Sequence, residues 1–276
     1  MPFQFTDQHI DDYHRQGYVV FRQILPPSLI TDLRGTTDQA REIARKKQGA
    51  QTQRLQPISA FDVGQKPFQD YAELPALKDA VARLLSPNHT HGNIHSKSSA
   101  LGVLLEPAEM PYCTIWHRDW RDNVRGLRLA DWNARLLDLN FFNQVNCALY
   151  EDSSTWVVPG SHLRRDTSAE ARRFPDRPIA EPNLEGKNSE ARERLCLEYC
   201  QSLPGAVRLL LDAGDFALYR NSLWHLGNYV PYRKRATLHE IIETPEYAAW
   251  REVNHKDLQA RSAAGLEWEN PNKMAA

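Results

Sequence analysis

The chain lacks a long apolar run, and it has few cysteines. None of its apolar stretches approaches the ~18 residues that a membrane helix needs, so we expect no membrane span. Residues 1–7 show no basic region followed by an apolar stretch, so we expect no secretory signal. Four cysteines in 276 residues indicate no disulfide framework. Together these absences predict a protein of the reducing cytoplasm.

An excess of either charge is also missing. The sequence has 34 basic and 35 acidic residues, which leaves a formal net charge of −1. Nucleic-acid binding relies on a strongly basic surface, so this balance argues against a nucleic-acid partner. Hydrophobic residues make up 41% of the chain, which is enough for a sizeable core. We find no internal repeat and expect one domain over residues 1–276.

The first part of the chain carries helix signals. Thr6 or Asp7 can cap a first helix, which Gly17 ends before a short strand. Prolines followed by apolar residues at helical spacing predict two further helices, at about 26–48 and 75–85.

Strand patterns dominate after about residue 93. The predicted strands cover residues 101–105, 137–150, 156–158, 206–211, 216–219 and 236–243. Helices first and strands later predict an α+β domain with a mainly β core and flanking N-terminal helices. The charge-rich segment 164–200 interrupts the strands. It is either a solvated excursion or a lid or insertion beside the functional site.

The sequence Trp-His-Arg-Asp-Trp at 116–120 contains a candidate metal site. In an extended segment alternate side chains share a face, so His117 and Asp119 can reach one ion while Arg118 points away. A second histidine, His225, follows a turn and a predicted strand further along the chain. Two histidines and one carboxylate are the ligand set of the non-haem Fe(II) facial triad, which leaves positions open for a chelating co-substrate and dioxygen.

Two amide side chains lie on one face of the predicted strand 137–150. Gln144 and Asn146 alternate with apolar residues, and amides that are buried without partners are costly. We therefore expect both amides to face the cavity that holds the metal and its co-substrate. Ordinary solvent exposure of that face is the alternative.

Two arginines follow His225. Arg235 directly precedes the predicted strand 236–243, and Arg233 lies two residues earlier on the same face. A guanidinium fork at this place can hold a carboxylate of a chelating co-substrate in bidentate fashion. Arg235 is the preferred anchor and Arg233 the alternate, while a surface arginine is the simplest interpretation of either.

The order of these motifs resembles the phytanoyl-CoA dioxygenase family of Fe(II)/2-oxoglutarate-dependent oxygenases. The resemblance extends along most of the chain. It rests on the opening helix and strand at 5–26, the ligand motif at 116–120, the Val-Pro-Gly-Ser-His turn at 158–162, and the Ala-Gly-Asp turn at 213–215 followed by His225 and Asn228.

This resemblance implies a double-stranded β-helix, or jelly roll, with flanking helices. It implies that the catalytic residues His117, Asp119 and His225 bind Fe(II), and that Arg235 holds the distal carboxylate of 2-oxoglutarate. His162 would be structural. The implied reaction uses dioxygen to hydroxylate an unactivated C–H bond, with release of succinate and CO2. Ring closure and desaturation stay open as other outcomes of the same oxidation.

The substrate is less well indicated. Trp116, Trp120 and Asn228 are the candidate substrate-binding residues, and their polar surroundings favour a polar small-molecule metabolite. An acyl-CoA, the namesake substrate of the family, is the alternative, although no distinct basic cluster for its phosphates is visible. The sequence does not indicate an oligomeric state.

Two other classes of protein stay open. A cupin-like jelly roll can hold a metal such as zinc without redox turnover, as an isomerase or hydrolase, and a degenerate oxygenase fold can serve as a scaffold. His89, His91 and His95 form a further histidine-rich candidate for metal binding. A polar loop is the preferred interpretation of these three residues.

Overall fold

The computed structural model describes residues 3–85, 87–95, 100–124, 126–168, 170 and 182–265. The α-helices in this part of the chain are α1 (Asp7–Gln16), α2 (Pro27–Gln48), α3 (Lys66–Ala72), α4 (Pro75–Leu84), α5 (Leu129–Arg135), α6 (Ser189–Cys200) and α7 (Pro245–Ser262). Short 3₁₀ turns lie at Ile58–Ala60 and Ser161–Leu163. None of the helices described is both long and apolar enough to cross a membrane.

The described strands form two antiparallel sheets. They are β1 (Tyr18–Phe21), β2 (Arg54–Leu55), β3 (Gly102–Leu105), β4 (Tyr112–Cys113), β5 (Asn143–Ala148), β6 (Thr155–Val157), β7 (Val207–Arg208), β8 (Phe216–Arg220), β9 (His225–Tyr229) and β10 (Ala236–Ile242). The larger sheet has the order β1-β8-β5-β10-β3-β2, and the smaller sheet has the order β4-β9-β6-β7.

The strands from β3 to β10 cross repeatedly between the two sheets. Only β6 and β7 follow one another within the smaller sheet. This winding is that of a double-stranded β-helix, so the predicted α+β fold with a jelly-roll core is confirmed. Because the sheets face one another, the side chains on their inner faces enclose a cavity.

The apolar core lies between the larger sheet and the N-terminal helices. Val145 and Cys147 of β5 pack in one buried cluster with Leu33 of α2 and Val81 of α4. Side chains alternate along a strand, so the β5 residues next to these two, such as Asn146, point the other way, into the space between the sheets. Burial of each large apolar side chain contributes about 1.5–3 kcal/mol, which holds the helices against the sheet.

Gly17 ends α1 and leads directly into β1, as the sequence predicts. Its φ of 81° is left-handed, a conformation that glycine adopts without strain. The imidazole of His162 packs so closely that a Cβ at residue 17 would lie 2.4 Å from its Nδ1. His162 is buried at this corner, next to the carbonyl oxygen of His14, where its role is packing.

The predicted strand 137–150 is wrong in its first half. Helix α5 continues to Arg135, and β5 covers only Asn143–Ala148. The chain turns between them, because Phe142 has a φ of 60° and the buried Arg220 donates hydrogen bonds to two carbonyl oxygens of the turn. The apolar alternation that suggested a strand instead serves packing around this turn.

Glu240 is a buried carboxyl group on the core side of β10. It accepts hydrogen bonds from the backbone N–H of Gly92 and from the hydroxyl of Tyr71, the latter at 3.1 Å. Burial raises the pKa of Glu240 to about 7, against the opposite effect of these donors. The carboxyl group thereby connects α3 and the loop around residue 92 to the larger sheet.

We expect Glu240→Gln to stabilise the protein at alkaline pH. The pKa of Glu240 in the folded state lies above the ordinary value of 4.5. The contribution of Glu240 to the free energy of unfolding is therefore full below pH 4.5 and is lost as the pH rises through 7. The neutral amide has no charge to bury, so the variant should gain about 3 kcal/mol relative to wild type across this range. Urea denaturation at pH 5 and pH 9 measures the gain. An equal difference between the two proteins at both pH values would contradict it.

Candidate metal centre

His117 and His225 face one another across two adjacent extended segments. Each residue donates its backbone N–H to the carbonyl oxygen of the other, at 3.1 and 3.0 Å. Residues directly opposite in an antiparallel pair present their side chains on the same face. The two imidazole rings are therefore close, with centroids 4.2 Å apart.

Asp119 completes the group on the same face. Its Oδ1 lies 3.4 Å from Nε2 of His117 and 4.0 Å from Nε2 of His225. One ligand atom from each residue lies within 4.8 Å of the others, and no other group of this kind is found among the described residues. The backbone N–H of Asp119 donates to the carbonyl oxygen of Asn221, which holds Asp119 next to the segment that leads into β9.

The hydrogen bonds of the histidines leave their Nε2 atoms available as ligands. Nδ1 of His117 donates to the carbonyl oxygen of Ile115 at 2.8 Å, and Nδ1 of His225 donates to that of Leu223 at 2.9 Å. A proton on Nδ1 places the lone pair on Nε2, which is how backbone carbonyls commonly orient metal-binding histidines.

The charges of the cluster also suit a cation. Burial and the charge of His117 lower the pKa of His225 to about 4, so this imidazole is neutral at pH 7. Burial acts to raise the pKa of Asp119, but the hydrogen bond from His117 and the neighbouring imidazoles lower it to about 2. The carboxylate is therefore ionised at pH 7, as metal binding requires.

Asn123 orients the carboxylate from outside the cluster. Its Nδ2 donates to Oδ1 of Asp119 at 2.8 Å, and its Oδ1 accepts from the backbone N–H of Trp120 at 2.8 Å. The amide thus links the ligand to the turn in which Trp120 has a φ of 66°.

We expect Asn123→Ala to weaken metal binding about 10- to 100-fold, the usual effect of losing a residue that orients a ligand. Asn123→Asp should also weaken it, because the backbone contact is kept while the donor to Asp119 is lost. Titration with Ni(II) measures both affinities. Unchanged affinity in both variants would show that Asp119 is positioned without this amide.

Arg118 points away from the cluster, as the alternation predicts, into a buried ionic network. Its Nη2 lies 2.9 Å from Oδ1 of Asp166, and Arg121 Nη1 lies 2.9 Å from Oδ2 of the same residue. The indole N–H of Trp224, next to the ligand His225, also donates to Asp166 at 3.2 Å. The network therefore supports both ligand segments from behind.

A cavity of about 1040 Å³ opens from the three ligands into the space between the sheets. Gln144 and Asn146 both line it, as the sequence predicts for their position. Gln144 Nε2 lies 2.9 Å from Nε2 of His239, and Asn146 donates to the hydroxyl of Thr155 at 2.7 Å. The amides thus belong to a polar network in the cavity wall.

The structure separates the two arginines that the sequence left as alternatives. Arg235 is buried in the cavity wall, with its Cζ 5.0 Å from the ring centroid of Tyr229 and its Nε 2.8 Å from Oδ2 of Asp152. Arg233 is exposed, lies outside this cavity and contacts the hydroxyl of Ser153 at 3.3 Å. Of these two arginines, only Arg235 lines the cavity and can reach a ligand that occupies it.

Two of the three predicted substrate-binding residues need correction. Trp116 is fully buried outside the cavity, where its indole N–H donates to the carbonyl oxygen of Tyr199 on α6. Asn228 lies on the outer face of β9, because His225 and Tyr229 occupy the inner face of that strand. Trp120 does line the cavity, and its indole N–H donates to Tyr247 at 2.7 Å.

The described part of the segment 164–200 does not line the cavity. Asp166 belongs to the buried network behind the ligands. Helix α6 packs Cys196 and Cys200 against Cys113 and Leu226 on the outer face of the smaller sheet. Residues 169 and 171–181 lie outside the described part of the chain. The described residues of the segment therefore pack behind the smaller sheet, and a lid or insertion stays a prediction for the segment as a whole.

Several cavity residues were missed from the sequence. They are Arg54, Thr114, Tyr219, Tyr229 and His239. Counting in steps of two from His225 leads to Tyr229, and counting from Arg235 leads to His239, so alternation could have found both. Gly227 is a further clue, since a Cβ there would lie 1.9 Å from the Tyr229 hydroxyl. The two-residue strand that carries Arg54 offers no such pattern.

The histidines at 89–95 form no metal group in the described residues. His89 and His91 stack with ring centroids 5.5 Å apart, and His91 also contacts the ring of Tyr71 at 5.9 Å. Burial lowers the pKa of His91 to about 4, so it packs as a neutral ring.

No family model matches the chain, and no curated protein matches it. Three solved structures of the same fold are informative. HygX from Streptomyces hygroscopicus, with nickel and 2-oxoglutarate bound, has a TM-score of 0.57 at 14% identity and covers 87% of this chain and 88% of its own. The epimerase SnoN, in complex with Fe3+, alpha ketoglutarate and nogalamycin RO, has a TM-score of 0.53 at 17% identity, with 86% and 83% covered. EctD from S. alaskensis, with 2-oxoglutarate and 5-hydroxyectoine, has a TM-score of 0.52 at 14% identity, with 87% and 76% covered.

These identities establish a shared fold and nothing finer. The resemblance to the phytanoyl-CoA dioxygenase family therefore stays a prediction from the sequence.

Proposed function

We propose that the protein is a non-haem Fe(II)/2-oxoglutarate-dependent dioxygenase. It would hydroxylate an unactivated C–H bond of a polar small molecule and release succinate and CO2, with residues 1–276 forming one catalytic domain. The observation that carries the proposal is the cluster of His117, Asp119 and His225 at the wall of a large cavity. Structures of the same fold that hold a metal together with 2-oxoglutarate support it.

The residues of the cluster fit Fe(II) in their chemistry. Two imidazole nitrogens and one ionised carboxylate are the donor set of the facial triad, which leaves open positions for other ligands. All three residues line the cavity, so those positions would be reached by small molecules from the space between the sheets. When bound, Fe(II) and 2-oxoglutarate supply the oxidising chemistry, and dioxygen is the co-reactant.

Arg235 is the residue that we propose for the distal carboxylate of 2-oxoglutarate. It is the buried guanidinium of the cavity wall, and its geometry allows bidentate contact with a carboxylate. Gln144 and Asn146 line the same cavity from the neighbouring strand β5, where their amides would contact the co-substrate. Tyr219, also in the wall, would contribute a further hydroxyl.

The substrate would occupy the rest of the cavity. Trp120 and Asn123 line it next to the ligand Asp119, and Gln56, Ser59 and His95 also belong to its wall. These walls combine one large aromatic face with polar groups, which suits a polar metabolite. Together with 2-oxoglutarate and dioxygen, such a molecule is the partner that we propose.

The test is succinate formation by the purified protein. With Fe(II), 2-oxoglutarate and dioxygen, we expect slow uncoupled release of succinate that a substrate accelerates. A panel of polar metabolites, screened for that acceleration and then for product by mass spectrometry, would identify the substrate and distinguish hydroxylation from ring closure or desaturation.

Metal identity separates this proposal from a non-redox function. A protein that retains zinc, gives no charge-transfer absorption with Fe(II) and 2-oxoglutarate, and forms no succinate would be an isomerase, a hydrolase or a scaffold. That result would overturn the proposal.

A further inference from the structure

We call the part of the cavity next to Arg235 the slot. It has fewer positive charges than its proposed ligand, the distal carboxylate of 2-oxoglutarate, needs. Asp152 is buried, and its Oδ2 accepts from Nε of Arg235 at 2.8 Å and from the hydroxyl of Thr237. Burial alone would raise the pKa of Asp152, but Arg235 keeps it below its ordinary value, so the carboxylate is ionised at pH 7. The charge of Arg235 is therefore balanced before any ligand binds.

A carboxylate of 2-oxoglutarate placed against Arg235 would bring one unmatched negative charge into this slot. A charge that leaves water without a partner is costly, so a second cation would be required for tight binding.

Arg54 is the other arginine that lines the cavity. It lies on β2 at the edge of the larger sheet, opposite Leu104 of β3. Its Nε donates to Oε1 of Gln56 at 2.6 Å, which orients the side chain. Among the described residues no carboxylate forms an ion pair with it, and the acidic residues lining the cavity are Asp119, which is a metal ligand, and the core-bonded Glu240.

The positive charges of Arg54 and Arg235 shift the pKa values of the same cavity residues. Burial lowers the pKa of His239 to about 3, and the positive charges of Arg54 and then Arg235 add to this lowering. Burial raises the pKa of Tyr219 and of Tyr229, and both arginines oppose the rise in each. Arg54 and Arg235 therefore line the same cavity, and the charges of both act on His239, Tyr219 and Tyr229 in its wall.

We propose that Arg54 is a second binding residue for the distal carboxylate of 2-oxoglutarate, and that it shares this carboxylate with Arg235. This inference rests on the proposed function. Arg235, paired with Asp152, sets the geometry of the slot, and Arg54 supplies the charge that the slot lacks.

The experiment compares Arg54→Gln, Arg54→Lys and the control Arg233→Gln with wild type. Anaerobic titration of the Fe(II)-loaded protein with 2-oxoglutarate, followed by charge-transfer absorption, gives the dissociation constant of the co-substrate. We expect Arg54→Gln to weaken binding about tenfold, the range for a charge-assisted hydrogen bond, and Arg54→Lys to restore most of it. Arg233→Gln removes the same charge outside the cavity and should leave binding unchanged.

Oxalate provides a second measurement, because it chelates a metal but is too short to reach the slot. Its displacement of 2-oxoglutarate from wild type and from Arg54→Gln should give the same oxalate affinity for both proteins.

Each other outcome overturns the inference. Unchanged 2-oxoglutarate affinity in Arg54→Gln would assign this arginine to another anion, such as a charged group of the substrate. Equal losses for 2-oxoglutarate and oxalate, or no recovery in Arg54→Lys, would make its role structural. A wild-type protein that gives no absorption band with 2-oxoglutarate would instead reject the proposed function itself.

Discussion

Replacing Asp119 with alanine should abolish 2-oxoglutarate turnover. The carboxylate is the charged member of the cluster, and the Nε2 atoms of His117 and His225 lie 3.4 and 4.0 Å from it. Its removal leaves two neutral donors for a divalent ion, so we expect bound iron to be lost and succinate formation to fall at least about a thousandfold. His117→Ala should have the same effect, because it removes one of the two nitrogen ligands.

Folding should survive either change. The Asp119 side chain accepts hydrogen bonds from Asn123 and His117 and is otherwise directed at the cavity, so the free energy of unfolding should change by about 1–3 kcal/mol. Thermal unfolding of the metal-free proteins checks this point. Asp11→Ala, on an exposed face of α1, is the matched control and should keep full activity. Succinate formation at the wild-type rate in the Asp119 variant would refute the assignment of the triad.

Arg235→Ala should raise the 2-oxoglutarate concentration needed for half-maximal turnover about a hundredfold. The arginine is buried, and loss of one partner of a buried charge pair commonly costs about 2–5 kcal/mol. A loss of affinity of about a hundredfold lies within this range of energies. The iron affinity should stay unchanged, because the guanidinium contacts Asp152 and not the metal ligands. Steady-state kinetics with 2-oxoglutarate as the varied substrate measures the effect.

A second consequence of Arg235→Ala is a loss of stability. The change leaves the buried carboxylate of Asp152 without its ion-pair partner, which should lower the free energy of unfolding by about 3 kcal/mol. Arg233→Ala provides the contrast, since this exposed side chain should change neither stability nor turnover noticeably. A larger kinetic effect in Arg233→Ala than in Arg235→Ala would move the co-substrate anchor to residue 233.

The fold was predictable where local chemistry and periodicity agree. Gly17 marks the end of α1 because only a left-handed residue closes that helix before β1. The apolar runs at β3, β8 and β10 correspond to buried strands, so their positions followed from composition and length. The strand predicted at 137–150 failed because the turn before β5 depends on Arg220, which is distant in sequence.

The candidate site was predictable where the alternation of side chains along an extended segment decides which residues share a face. The separation of two residues between His117 and Asp119 places both on one face of an extended segment, and the structure brings them together. Gln144 and Asn146 were placed by the same alternation. The preference for Arg235 over Arg233 rested on adjacency to β10, and the structure puts only the former in the cavity wall.

The sequence by itself determined which residues share a face of a strand, and therefore which side chains can act together. It could not determine which face looks inward. Trp116 and Asn228 were misplaced for this reason: Trp116 is covered by α6, and Asn228 lies on the outer face of β9. Alternation is a local property of the backbone, whereas the covering of a face depends on segments far away in the chain. Only the tertiary structure decided that the cavity lies between the two sheets, and that Arg54 lines the same cavity as Arg235.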